Sequence, residues 1–217
     1  METVTARRPL KSRDTGWAKA MARALLKLRV SPNVISVISV VFAAGAGAAL
    51  FFTGSAPPPR RMVLLLLAVA GIQLRLLSNL LDGMVAVEGG LKTKSGEVFN
   101  DLPDRISDAL ILVPIGYAVY GLPWGLALGW CAGLLAVFTA YVRMLGGAAG
   151  LKQSFAGPMA KQQRMAVLTV ACVASIFEAR FLRTGAVLWA TLILINLGCV
   201  ATIVRRTAAI VRELESR

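Results

Sequence analysis

Three features of the sequence predict an all-α, polytopic membrane protein with six transmembrane helices and an N-terminal amphipathic helix. Of the 217 residues, 57% are hydrophobic, and the mean hydropathy of +0.69 exceeds what one soluble core of this length requires. Several apolar windows reach the roughly 20 residues that a helix needs to cross the hydrocarbon layer. We therefore expect the excess apolar surface to face lipid.

The first thirty residues are polar and basic. Residues 1–15 lack periodicity and are expected to form a disordered cytoplasmic tail, with no cleavable signal peptide. Within residues 16–30, Trp17 and Met21 recur at helical spacing while Lys19 lies on another face, which indicates an amphipathic helix in the membrane interface. A soluble surface helix is the alternative.

Residues 31–204 form the predicted six-helix transmembrane catalytic domain. Ser31 and Pro32 mark the start of the first span, whose small residues permit close helix packing. The spans are expected at residues 34–52, 62–86, 100–120, 124–145, 165–178 and 185–204. Residues 205–217 are left as a cytoplasmic C-terminal tail.

The basic residues give the orientation. An even number of spans puts both termini on one side, and that side carries 19 of the 24 Lys and Arg residues, against four on the other. Both termini are therefore predicted to be cytoplasmic. This distribution assigns the net charge of +13 to membrane topology, so no nucleic-acid partner is expected. The frequent Ala, Gly and Arg indicate a bacterial cytoplasmic (inner) membrane.

The residue types restrict the possible metal chemistry. The chain has no histidine, the commonest transition-metal ligand. Its three cysteines stand alone within apolar runs, which predicts neither a disulfide framework nor a zinc site. Any metal ion is therefore expected to be bound by oxygen.

Acidic residues cluster where the second and third spans are joined. Six of the eleven fall within 27 consecutive positions, and they are Asp82, Glu88, Glu97, Asp101, Asp104 and Asp108. Charges near membrane depth cost several kcal/mol unless they are paired, hydrated or ion-bound. Crowded carboxylates also repel one another unless cations neutralise them. Mg²⁺ or Mn²⁺ and phosphoryl chemistry are therefore predicted, the alternative being helix capping and pairing with Arg75 and Arg105.

Helical geometry sharpens this prediction, because it gives each span one polar face. The two faces consist of Arg75, Asn79, Asp82 and Ala86 on the second span and of Asn100, Asp101, Asp104 and Asp108 on the third. We expect them to converge, with Arg75 contacting Asp108 or Asp104 inside the bundle. Pro103 would sit in the first turn of a helix that starts near Asn100, or make a kink in one that starts at Gly96.

A spaced motif joins these faces. Asn79-x-x-Asp82-Gly83-x-x-Ala86-Val87, eight residues, then Gly96-x-x-x-Asn100-x-x-x-Asp104 resembles the CDP-alcohol phosphotransferase signature Asp-x-x-Asp-Gly-x-x-Ala-Arg, eight residues, Gly-x-x-x-Asp-x-x-x-Asp. Every spacing is kept over 26 residues. Asn stands at two of the four Asp positions, and Val87 replaces Arg.

The resemblance implies an integral membrane enzyme, commonly a homodimer, that uses two Mg²⁺ or Mn²⁺ ions. Such enzymes displace CMP from a CDP-linked donor with an alcohol acceptor. We favour CDP-diacylglycerol as donor, which makes the product a membrane phospholipid. CDP-linked small alcohols with a lipid acceptor use the same motif, so that direction stays open.

The resemblance also implies residue roles by position. Asp82 would bind metal, and Asp104 would bind metal or act as the general base. Asn79 and Asn100 offer oxygen without charge, so Asp101 and Asp108 are expected to complete a rearranged metal site. The nucleotide-binding positions would be Asp82, Gly83, Ala86 and Gly96, although Gly83 and Ala86 equally suit close helix packing.

A second, basic group lies near the same surface. It comprises Arg143, Lys161 and Arg164, which would bind an anionic acceptor or phosphate, or else membrane lipid head groups. Two other functions stay open. A catalytically lapsed relative could be a nucleotide- or lipid-binding scaffold, and a small transporter is disfavoured because the later spans carry almost no polar residues.

Overall fold

The structure, a computed structural model, describes residues 15–91, 93 and 95–217. The described residues form the α-helices α1 (Gly16–Lys27), α2 (Pro32–Phe52), α3 (Pro58–Glu88), α4 (Gly96–Ala118), α5 (Gly125–Ala148), α6 (Lys161–Phe177) and α7 (Ala186–Glu215), with a 3₁₀ helix at Glu178–Arg180. The all-α prediction is confirmed for this part of the chain. The predicted N-terminal tail falls on residues 1–14, outside the described residues, and on Thr15.

Helices α2 to α7 pack in a closed ring. Its order is α2, α3, α6, α7, α5, α4 and back to α2, and α1 packs outside it against α3. Buried apolar side chains such as Ile72, Ile111 and Leu192 fill the centre. The polar cluster, which contains the carboxylates Asp82, Asp101, Asp104 and Asp108 and their polar and basic partners, lies towards the end of the ring where α3 ends and where α4 and α6 begin.

Among the described residues, four helices, α2, α3, α5 and α7, are long and apolar enough to cross a membrane. Their outer faces expose large apolar residues, among them Val41, Leu67, Leu134 and Leu197. Helices α4 and α6 are not among these four, because α4 carries several charges in its first half and α6 has only 17 residues. The apolar exterior is that of a multi-pass membrane protein, because a soluble protein would cover such surface.

The start of α2 agrees with the sequence prediction, whereas the start of α4 and the end of α7 lie further out than expected. Ser31 accepts a hydrogen bond from the Val34 amide at the start of α2, as expected of an N-cap. Helix α4 begins at Gly96, the earlier of the two starts considered, so Pro103 lies inside it and cannot donate to the carbonyl four residues back. Helix α7 continues to Glu215, since the segment after residue 204 is rich in Arg, Ala and Glu, which favour helix.

Small residues set the distance between neighbouring helices. A Cβ atom built on Gly47 of α2 would lie 2.0 Å from the carbonyl oxygen of Leu110 in α4, and one on Gly129 of α5 would lie 2.6 Å from Gly116 Cα. Neither position admits a side chain without moving backbone. The close packing predicted for the first span is therefore confirmed, and it lets α4 pack closely against α2.

Candidate active site

Asp108 lies where α3, α4 and α6 meet. Its Oδ1 is 2.8 Å from Arg75 Nη2 and its Oδ2 is 2.6 Å from Arg164 Nη2. The Asp108 and Arg75 side chains are fully buried, and that of Arg164 is nearly so. The predicted contact of Arg75 with Asp108 is confirmed, and both carboxylate oxygens are held by arginine.

Asp104 lies one turn earlier on the same face of α4, and its carboxylate is surrounded by donors. Lys161 Nζ, from the first residue of α6, is 2.5 Å from Oδ1. Arg75 Nη2 is 3.4 Å from that oxygen, and the Asn79 amide also donates to it. The second predicted contact of Arg75 is thus present too, and Asp104 joins the polar faces of α3 and α4.

Asp82 is buried near the end of α3. Ser36 of α2 donates a hydrogen bond of 2.6 Å to its Oδ2. Asp82 lies three residues beyond Asn79, so the two side chains share one face of the helix. Because Asn79 bonds to Asp104, that face of α3 is turned towards Asp104. The predicted convergence of the two polar faces is therefore observed for Asn79 and Asp104, and Asp82 lies one turn further along the same face of α3.

Asp101 lies at the more exposed edge of the cluster. Arg143 Nη2, from α5, is 2.8 Å from both carboxylate oxygens, and Arg105 Nη2 is 3.4 Å from Oδ1. The Arg143 guanidinium also lies 5.1 Å from the centre of the Phe155 ring. Asp101 is thus paired with arginine, and Arg143 is held by Asp101 and by the Phe155 ring.

Other predicted site residues lie around this cluster. Gly83 and Ala86 are half-buried on α3, and Gly96 is half-buried at the start of α4. Asn100 is exposed, and among the described residues its side chain makes none of the hydrogen bonds that join the cluster. Asn100 is therefore not brought into the cluster.

Sequence reasoning missed two residues that shape the site. Ser36 holds Asp82, and nothing in the sequence distinguishes it from other small residues of the first span. Arg206 of α7 is buried and donates to the carbonyl oxygens of Ala156 and Thr139. These hydrogen bonds hold the segment between α5 and α6 in place. That segment leads directly into Lys161, the first residue of α6. A basic residue next to the predicted end of the last span was its only sequence signal.

The donor atoms of α3 suit a cation. Asn79 Oδ1 and Asp82 Oδ1 are buried and accept no hydrogen bond from the described residues. Buried acceptors without partners are costly, and amide and carboxylate oxygens are ligands of Mg²⁺ and Mn²⁺. Asn79 and Asp82 thus present free oxygens of the kind that a divalent ion binds, and the Asp104 carboxylate lies one hydrogen bond from Asn79. In the described part of the chain, no three acidic, cysteine or histidine side chains converge on a metal site.

Comparison with solved structures finds proteins of similar fold. The crystal structure of Mycobacterium tuberculosis phosphatidylinositol phosphate synthase in complex with manganese and citrate is similar, with a TM-score of 0.73 and 20% identity over 89% of this chain and 88% of that chain. The same synthase with CDP-DAG bound gives a TM-score of 0.73 and 21% identity over 89% and 92% of the two chains.

The apo form of that synthase gives a TM-score of 0.70 and 21% identity, covering 87% of this chain and 93% of that one. At these identities the likeness establishes the fold. No family model matches the sequence, and neither does any curated protein.

Proposed function

We propose that this chain is a membrane transferase of the CDP-alcohol phosphotransferase type. It would move a phosphatidyl group from a CDP-linked donor, CDP-diacylglycerol, to an alcohol acceptor and release CMP. One observation carries the proposal: Asn79 and Asp104, two positions of the family signature, are joined by a hydrogen bond within this fold, with Asp82 one turn further along the same face of α3. A solved structure of similar fold has CDP-DAG bound, which supports the choice of donor.

The proposed reaction is a displacement at phosphorus. The acceptor hydroxyl oxygen forms a bond to the phosphorus that carries diacylglycerol, the bond from that phosphorus to the CMP oxygen breaks, and CMP leaves with the bonding electrons. Asp104 receives the hydroxyl proton as general base. Asn79 holds the Asp104 carboxylate in place for this role.

Residues of α3 and α4 would bind the donor and its metal. Asn79, Asp82 and Asp104 are the proposed ligands of Mg²⁺ or Mn²⁺, and the bound ion would supply positive charge to the diphosphate. A manganese complex of the structurally similar synthase supports a divalent ion. The nucleotide would lie along Asp82 and the small residues Gly83, Ala86 and Gly96.

The acceptor would enter from the basic side. Arg143, Lys161 and Arg164 are the proposed contacts for an anionic acceptor, and their pairing with Asp101, Asp104 and Asp108 puts them around the same carboxylates. Lys161 and Arg143 keep part of their side chains exposed, whereas Arg164 is buried. Lys161 and Arg143 are therefore the better candidates for direct contact.

The membrane arrangement is part of this proposal. Six spans, α2 to α7, would place both termini and the carboxylates at the cytoplasmic face of a bacterial inner membrane, with the chain as a homodimer. Helix α1 would lie in the interface, because it buries Ala18 and Ala22 against the bundle while Trp17 and Met21, and Leu28 directly after the helix, are exposed. Exposed apolar side chains beside basic ones suit a membrane surface.

A catalytically lapsed, nucleotide- or lipid-binding scaffold is a second candidate. It is favoured by the 2.5 Å contact of the Lys161 ammonium with Asp104, which neutralises the proposed base. The amides at Asn79 and Asn100 favour it as well, since each replaces a carboxylate of the signature.

A CMP-release assay tests the proposal. Purified full-length protein receives labelled CDP-diacylglycerol, Mg²⁺ or Mn²⁺, and a panel of polyols, phosphorylated polyols and amino alcohols. CDP-linked small alcohols with diacylglycerol form the second arm. We expect CMP release in one arm, its loss in Asp104→Asn and its retention in Glu213→Gln, an exposed acid remote from the site. Release in neither arm would favour the scaffold.

A further inference from the structure

Lys161 differs from the other cations of the cluster in its freedom to move. Arg75 is fully buried and shared between Asp104 and Asp108, and Arg164 is held by Asp108 and by the Met159 carbonyl oxygen. Within the described part of the chain, Lys161 forms an ion pair with Asp104 alone, and 23% of its side chain is exposed. It stands on a flexible four-carbon stem, so it can leave Asp104 while the arginines stay.

Lys161 also acts electrostatically on both carboxylates of the signature. Its ammonium is 2.5 Å from Asp104 Oδ1 and close enough to Asp82 to attract it electrostatically. In the described residues, Asp82 makes no ion pair of its own and is held by the Ser36 hydroxyl. One cationic side chain thus serves two acidic groups, as a bridging metal ion does.

The charges of the cluster determine how a divalent ion would bind beside Lys161. Four carboxylates, Asp82, Asp101, Asp104 and Asp108, lie among five cationic side chains of the described chain, Arg75, Arg105, Arg143, Lys161 and Arg164. Three of these carboxylates, Asp101, Asp104 and Asp108, are therefore paired with cations of the protein itself. A divalent ion entering beside Lys161 meets like charge a few ångströms away, which opposes its binding.

We infer that Lys161 is a tethered counter-cation of the Asp82 and Asp104 pair, which a divalent metal ion must displace before it binds. The inference rests on the proposed function for the location of the metal, and it adds a residue that sets the metal affinity. Removing the ammonium should strengthen metal binding, whereas removing an ordinary acceptor-binding lysine should leave it unchanged.

Binding of Mn²⁺ to the purified full-length protein, followed by the electron paramagnetic resonance signal of the free ion, tests this directly. We expect Lys161→Gln to bind Mn²⁺ about tenfold or more tightly than wild type, because one neighbouring positive charge is gone. Lys161→Arg keeps the charge and should stay weak. Lys152→Gln, an exposed lysine before α6, is the matched control and should not differ from wild type.

Chemical labelling of the wild-type protein gives a second readout that needs no variant. If Mn²⁺ displaces the ammonium into water, acetylation of Lys161 by an amine reagent should rise several-fold on adding Mn²⁺, while acetylation of Lys152 stays constant. Equal Mn²⁺ affinity of wild type and Lys161→Gln, absence of binding in both, or Lys161 labelling that does not rise would each overturn the inference.

Neither readout uses a CDP-linked donor, so the two proposals can fail separately. Tighter Mn²⁺ binding in Lys161→Gln without CMP release in any arm would overturn the transferase alone. CMP release with an unchanged Mn²⁺ affinity would overturn the role of Lys161 alone.

Discussion

Arg75 Nη2 lies 2.8 Å from Asp108 Oδ1, and neither side chain is exposed. The pair joins α3 to α4, and Arg164 on the other carboxylate oxygen extends it to α6. Replacing one member leaves a buried charge without its partner, which costs far more than the pair contributes. The pair therefore fixes how three helices of the site meet.

Arg75→Met is predicted to lower the free energy of unfolding by about 3–5 kcal/mol. The substitution keeps much of the side-chain length but leaves Asp108 with Arg164 alone. Equilibrium unfolding in detergent micelles measures the change. Arg105→Met is the control, because Arg105 keeps 19% of its side chain exposed and pairs at 3.4 Å, so its loss should cost about 1 kcal/mol or less. Similar costs for the two variants would contradict this account.

Gly47→Ala is predicted to destabilise the contact of α2 with α4 by about 1–3 kcal/mol. The added Cβ would fall 2.0 Å from the Leu110 carbonyl oxygen, whereas one added to Gly45, on the same helix, meets nothing within 4 Å. Gly45→Ala should be neutral, or stabilise by up to about 1 kcal/mol through helix propensity. Thermal unfolding of the two variants side by side measures the difference, and equal midpoints would refute the predicted packing.

The contacts between α3 and α4 were predictable from the sequence because helical periodicity assigns residues to faces. Arg75 and Asp82 share one face of their helix, and Asp104 and Asp108 share one of theirs. Two polar faces in apolar surroundings have a strong reason to meet. The contact of Arg75 with Asp108 followed from that reasoning alone.

Contacts that depend on a loop were not predictable. Lys161 and Arg164 reach Asp104 and Asp108 because the connection between α5 and α6 is fastened by Arg206, and no periodic pattern specifies its path. The start of α4 was not determined by the sequence, since Gly96 and Asn100 both suit a first turn, and Ser95, the residue before Gly96, makes no side-chain cap hydrogen bond.

Arg61→Met is predicted to destabilise the opposite end of the bundle by about 3–5 kcal/mol. Arg61 Nη2 lies 2.5 Å from the buried carboxylate of Glu178, which also accepts from the amides of Gly185 and Val187 at the start of α7. The substitution would leave that buried carboxylate without its cationic partner. Arg60→Met is the control, since Arg60 is exposed.

The Arg61 and Arg60 variants are compared by equilibrium unfolding and by CMP release. Because this pair is remote from the carboxylates of the site, Arg61→Met should lower stability while the folded fraction keeps its turnover. A loss of turnover in fully folded Arg61→Met would contradict a purely structural role.

Asp101 and Asp82 are predicted to differ in Mn²⁺ binding, although both are acidic residues that the sequence assigned to the metal. Arg143 occupies both oxygens of Asp101 at 2.8 Å, whereas Oδ1 of Asp82 accepts no hydrogen bond from the described residues. A carboxylate already neutralised by arginine adds little to a cation site.

Asp82→Asn should therefore weaken Mn²⁺ binding by about tenfold or more, as the loss of one ligand charge does. Asp101→Ala should stay within about threefold of wild type, because it removes a carboxylate and leaves Arg143 on the Phe155 ring. Titration of free Mn²⁺ measures both, in a Lys161→Gln background if wild-type binding is too weak. An equal loss in Asp101→Ala would restore Asp101 as a ligand and require Arg143 to release it when the metal binds.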